Sequence, residues 1–193
     1  MTGMADKTLS LDAKKTALVL IDLQYAIVGR DVQPYAAKDV IERSRRMAEA
    51  LRAKGGTVVY VHVKLQDFMQ PLADEPTQLP KEIPAMASEI VPEAGKQEGD
   101  LVITKRHWGA FAQTSLEADL RALGVETIVL AGIATNIGVE STFRQGTGLG
   151  FGFVVVEDAC ATFSAEMQNF AFKNIFPRAG LVRTTDEVIA ALA

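Results

Sequence analysis

The sequence is poor in the residues on which several chemistries depend. Its 193 residues include one cysteine, Cys160, and two histidines, His62 and His107. One thiol cannot close an internal disulfide or build a cysteine-cluster zinc or iron–sulfur site, and two histidines leave little for a histidine-rich one. No block of basic residues exists: 20 Lys+Arg stand against 24 Asp+Glu, a formal charge of −4. That balance argues against a surface that tracks nucleic-acid phosphates. Apolar runs reach only about 6–8 residues, far short of the roughly 20 of a membrane helix. The opening MTGMADKTLSLDAKK has no apolar centre of a signal peptide. The expectation is a cytoplasmic protein without nucleic-acid or membrane partners. One domain would span residues 1–193, with a flexible N-terminal segment over residues 1–14.

Several signatures are absent too. A dinucleotide fold needs G-x-G-x-x-G after its first strand, but IDLQYAIVG stands there. GTGLGF (146–151) falls where a helix ends and a strand begins, so its glycines read as a left-handed cap and turn. There is no G-x-x-x-x-G-K-[ST], no G-x-S-x-G and no H-E-x-x-H.

What is present is an apolar content of 48%, enough to build a continuous core at this length. Short apolar runs alternate with amphipathic ones. Strands are predicted over residues 16–22, 57–63, 100–105, 126–133, 151–158 and 178–184. Helices are predicted over 36–54, 115–124, 135–149, 164–176 and 186–192. Regular alternation implies an α/β protein, a parallel sheet with helices on both faces. Residues 66–99 break the rhythm and hold five of the seven prolines. They read as a lid or oligomer-contact segment, with a short helix near 83–90.

In such a sheet the ligand crevice lies beyond the carboxyl ends of the strands. Asp22 ends the first apolar strand there, where desolvation raises a carboxylate's pKa and suits it to moving protons; capping the next turn is the alternative role. Lys105 ends the third strand, either as a solvated lysine or as a charge partner for Asp22 and for substrate anions.

LVLIDLQ, ITKRHWGAF, LAGIATNIGVEST and VVEDACAT, in that order, resemble the isochorismatase-like hydrolases over nearly the whole chain. The resemblance implies a three-layer α/β/α fold, a six-stranded parallel sheet of order 3-2-1-4-5-6, and a homo-oligomer, dimer or tetramer. Most members are cysteine hydrolases of amides, whose Asp and Lys match Asp22 and Lys105. The position matching their nucleophilic cysteine is Gly138, and Cys160 follows strand five, which implies a buried structural thiol. Isochorismatases proper also carry Gly there and cleave a vinyl ether with the Asp as general acid. ATNIG stands where a Tyr-Ala-His-type sequence belongs in those enzymes, and residues 64–69 hold no arginine pair for a dicarboxylate. A different small substrate is therefore expected.

The resemblance also implies a cis peptide at Ile133–Ala134 and an oxyanion hole from the N–H groups of Ala134 and Gly138. Thr135 and Asn136 would cap the following helix. Gln24 either orients Asp22 or hydrogen-bonds a loop. Trp108 would wall the substrate, and Phe111 belongs to the core. VHVKLQD lacks the D-x-H that amidase members use for metal, so neither metal nor cofactor is expected, and His62 belongs to its strand. The expected function is non-covalent acid/base hydrolysis of a small polar substrate, with a carboxylate-bearing one among the candidates. The alternative is an idle family member acting as a ligand-binding or oligomeric scaffold.

Overall fold

Six parallel strands make one sheet of order β3-β2-β1-β4-β5-β6 in the computed structural model, which describes residues 9–193. The strands are β1 (Thr16–Ile21), β2 (Thr57–Val63), β3 (Leu101–Lys105), β4 (Thr127–Ile133), β5 (Gly152–Ala161) and β6 (Leu181–Arg183). Every residue of β1 is buried, which accounts for its unbroken Val/Ile/Leu run at the centre of the sheet. Helices surround the sheet: α1 (Tyr25–Val28), α2 (Ala37–Ala53), α3 (Leu116–Ala122), α4 (Glu140–Gly148), α5 (Ala165–Phe170) and α6 (Thr185–Ala191). This is the α/β architecture and strand order expected from the sequence.

Local chemistry sets the boundaries. In α2 the buried residues Val40, Ile41, Ser44, Met47, Ala48 and Leu51 recur every three or four positions, and Gly55 at φ 77° turns the chain beyond its end. Thr184 and Glu187 form a reciprocal capping box on α6. Gly150, in the GTGLGF segment, adopts φ 87° as a turn glycine, as expected. Phe143, Phe153, Phe172 and Phe176 pack edge to face in the core.

Three expectations need correction. β5 runs on to Ala161 because its register against β4 shifts between Leu130 and Gly132, after which Cys160 and Ala161 pair with Gly132 and Ile133. The Glu157-Asp158 charges therefore lie within the strand. Of the N-terminal segment expected to be flexible, residues 1–8 lie outside the described residues, and residues 9–14 pack on the domain. Leu11 is buried and bridges Leu192, which its apolar side chain favours. The helix expected at 83–90 contracts to one 3-10 turn, Ala85–Ser88, entered through Pro84. Among the described residues, no helix is long and apolar enough to cross a membrane.

Candidate active site

β1 delivers Asp22 to the carboxyl edge of the sheet. Asp22 takes φ 53°, a left-handed conformation that Asp tolerates better than most side chains, and its N–H donates to Val61 O at 2.9 Å. Beside it Gly132 sits at φ 127°, and a Cβ added there would come 2.2 Å from Ile21 O. Only glycine lets β4 approach β1 so closely. The peptide Ile133–Ala134 that follows is cis, as the resemblance implied.

Lys105, at the end of β3, is buried and donates to Asp22 Oδ2 at 2.8 Å and to Trp108 O at 2.6 Å. An ammonium has three donors, so one remains. Asp22 Oδ1 is buried without a hydrogen-bond partner. Burial pushes the Asp22 carboxyl above the ordinary carboxylate range, and the Lys105 charge only partly opposes it. Gly138 completes the cluster from a π-helical turn, Thr135–Val139, ahead of α4. A Cβ on Gly138 would lie 3.2 Å from both Asp22 Oδ2 and Lys105 Nζ, and 2.9 Å from Ile21 Cγ2.

These groups face a cavity of about 160 Å³, which Ala134, Gly138 and Trp108 also line. Phe68, Thr77 and Leu79 line it from the proline-rich segment, which the sequence marked as a lid or an oligomer contact. Trp108 is 48% exposed and borders both this cavity and an adjoining open groove, whereas Phe111 is in the core, stacked on Phe151. Ile27, Arg30, Ile137 and Phe163 line the cavity as well, and sequence reasoning missed them.

Other expected site residues lie elsewhere. Gln24 is fully buried and does not reach Asp22 or the cavity. Its Nε2 donates to Val63 O and Ala87 O, and its Oε1 accepts from Val63 N at 2.8 Å, tying β2 to the Ala85–Ser88 turn. Of the two roles expected for Gln24, orienting Asp22 or bonding a loop, these hydrogen bonds are the second, and the side chain is not among the substrate-binding residues. Thr135 and Asn136 do not cap: Thr135 Oγ1 donates to Gln168 Oε1, and Asn136 Oδ1 accepts from Thr162 Oγ1. Both are drawn away by polar partners on α5 and after β5. His62 bonds Ser88 O through Nδ1 and Thr104 Oγ1 through Nε2, within its strand as expected. Cys160 is fully buried, and burial raises its thiol far above the usual range. Asp158 accepts from Thr185 N at 2.7 Å, anchoring α6.

Comparison with known proteins adds the following. Residues 16–187 match the isochorismatase domain family. The chain is 44% identical over 186 residues to the uncharacterized isochorismatase family protein YwoC of Bacillus subtilis (strain 168), covering 94% of this chain and 96% of that protein. It is 29% identical over 214 residues to the ureidoacrylate amidohydrolase RutB of Stutzerimonas stutzeri (strain A1501), covering 96% and 86%. A solved isochorismatase family protein from Burkholderia thailandensis superposes with a TM-score of 0.90 at 40% identity, over 96% of this chain and 98% of that one.

Proposed function

The chain belongs to the isochorismatase family, and from that premise we propose that it is a hydrolase that works without a cysteine nucleophile on a small polar substrate. RutB, a relative, is named as an amidohydrolase. The observation that carries the reading is the sealed Asp22–Lys105 pair bordering Gly138, with Asp22 Oδ1 unpartnered. In cysteine hydrolases of this family the matching position carries the attacking thiol. Here glycine leaves only backbone beside the pair, so water takes the nucleophile's part.

The chemistry follows from the carboxyl's position. Burial raises the Asp22 pKa and so favours its protonated form more than in a fully solvated aspartate. Asp22 gives that proton to the substrate, and Lys105 stabilises the carboxylate that results. Water adds to the activated carbon, and its proton returns to Asp22 as the C–O or C–N bond breaks. The chain is regenerated, with one water consumed per bond cleaved. Backbone N–H groups of Ala134 and Gly138 serve as donors to developing negative charge on a carbonyl substrate.

Turnover of vinyl ethers, amides and N-carbamoyl compounds by wild type and Asp22→Asn tests this. Turnover of one class that collapses in Asp22→Asn supports the enzyme. Absence of any Asp22-dependent turnover would leave the ligand-binding scaffold as the correct description.

A further inference from the structure

We propose that Arg30 is the anion-recognition residue of this cavity, and that the ligand is a small monocarboxylate whose charge lies at the end remote from the bond that breaks. The substrate class rests on reading the cavity as a hydrolytic site; the anion site itself does not.

The side chains of three arginines, Arg30, Arg106 and Arg178, have no hydrogen-bond or ion-pair partner among the described residues, and of these only Arg30 lines the cavity. It follows α1, on the loop leaving the same strand that delivers Asp22. Its guanidinium lies 5.5 Å from the centroid of the Phe163 ring, another cavity residue. A ring face holds a guanidinium in place without using its N–H donors, so the fork remains free for a planar carboxylate. Asp31, next in sequence, forms no ion pair with it.

Position decides which end of the ligand Arg30 meets. Asp22 and Lys105 are sealed at the floor, whereas Arg30 is exposed at the rim. An anion placed at the floor would lose its hydration in a dry site where the Lys105 charge is already engaged with Asp22; at the rim it keeps part of its hydration and gains a charge-assisted pair. The rest of the lining is mostly apolar, with Ile27, Ile137, Phe68 and Leu79 in it. The volume, about 160 Å³, matches a single ring or short chain, since a cavity of roughly 150 Å³ takes up benzene.

Trp108 is the chain's one tryptophan and stands on the cavity wall, so its fluorescence reports occupancy without any turnover. Benzoate and benzamide are the probes, alike in shape and different in charge. Benzoate is expected to give a saturable change at lower concentration than benzamide. Arg30→Met should weaken benzoate by about tenfold or more, the loss expected for a charge-assisted pair, and leave benzamide unmoved. Arg30→Lys should fall between, and Arg178→Met, an unpartnered arginine outside the cavity, should leave benzoate binding little changed. Benzoate no tighter than benzamide, no benzoate binding, an unaffected Arg30→Met, or the same loss in Arg178→Met would each overturn the assignment. Asp22→Asn separates the two readings: it removes turnover but keeps Arg30-dependent benzoate binding. If that binding persists and no Asp22-dependent turnover exists, the hydrolase fails and the anion site stands.

Discussion

Lys105 Nζ lies 2.8 Å from Asp22 Oδ2, with their side chains only 2% and 8% exposed, and the same two atoms border the bare Cα of Gly138. A buried ion pair of this kind is weak evidence for stability, because desolvation offsets the attraction. Its placement at the end of a cavity gives it a chemical use.

If Asp22 acts as an acid, activity should fall as pH rises through its raised pKa. A vinyl ether, which needs a proton from Asp22, should therefore show a descending alkaline limb. An amide, protonated by Asp22 in the same way, should show the same limb. Asp22→Asn should lower kcat/KM by roughly 10²–10⁴ on either substrate, with the pH limb removed. Rate profiles against pH for both classes check this.

Lys105→Met removes the charge that partly holds Asp22 down. The limb should then move to higher pH. The native pKa of Asp22 already exceeds its unfolded value, so its contribution to stability is present below the unfolded pKa and is lost as pH rises through the native one. Lys105→Met should therefore lie nearest wild type in acid and fall furthest behind at neutral and higher pH. The deficit there should approach about 3–5 kcal/mol, the cost of an uncompensated buried charge. Urea denaturation at several pH values measures it.

Gly138→Cys should install a reactive thiol. Its Cβ would stand 3.2 Å from both Asp22 and Lys105, so that Asp22 can accept the thiol proton and Lys105 can stabilise the thiolate. Ile21 Cγ2, at 2.9 Å, must yield by a few tenths of an ångström. The expected penalty is about 1–2 kcal/mol. New amidase activity, with an acyl adduct on this residue seen by mass spectrometry, is the expected outcome.

Cys160 should behave in the opposite way. Fully buried, with its thiol pKa raised, it should resist iodoacetamide in the native protein and react once after denaturation. Turnover should survive the native treatment.

Gln24→Leu should destabilise the fold by about 2–4 kcal/mol, because Val63 N–H, Val63 O and Ala87 O each lose a buried partner. Equilibrium unfolding measures this. Weakened closure of the proline-rich segment over the cavity should raise KM more than it lowers kcat.

The strands and the Asp22 and Lys105 positions were legible because the central strands are dense apolar runs, with Asp22 directly after β1 and Lys105 as the last residue of β3. Burial on both faces imposes that pattern, and the open-sheet rule locates the site at those ends. Gln24 was not legible in the same way. An amide's partner depends on which loop folds over it, and the segment that supplies Ala87 has no periodicity to read. The four residues of α1 are too few to show a helical period, so Arg30 and Ile27 went unnoticed beside the IDLQ motif. The last residues of β5 were missed because a register shift, invisible in sequence, brings Cys160 back into line with Gly132.

Gly132 has a consequence for how such a site can diversify. Its φ of 127° and the 2.2 Å that would separate an added Cβ from Ile21 O make the contact of β4 with β1, one residue before Asp22, backbone on backbone. No side chain can be added there without parting two central strands. The cavity lining is different: Arg30, Trp108 and, from the proline-rich segment, Phe68, Thr77 and Leu79 reach it from three loops, outside the sheet. Specificity in this scaffold, whether by natural drift or by laboratory selection, is written most freely on those loops, while the strand pair that carries Asp22 stays fixed.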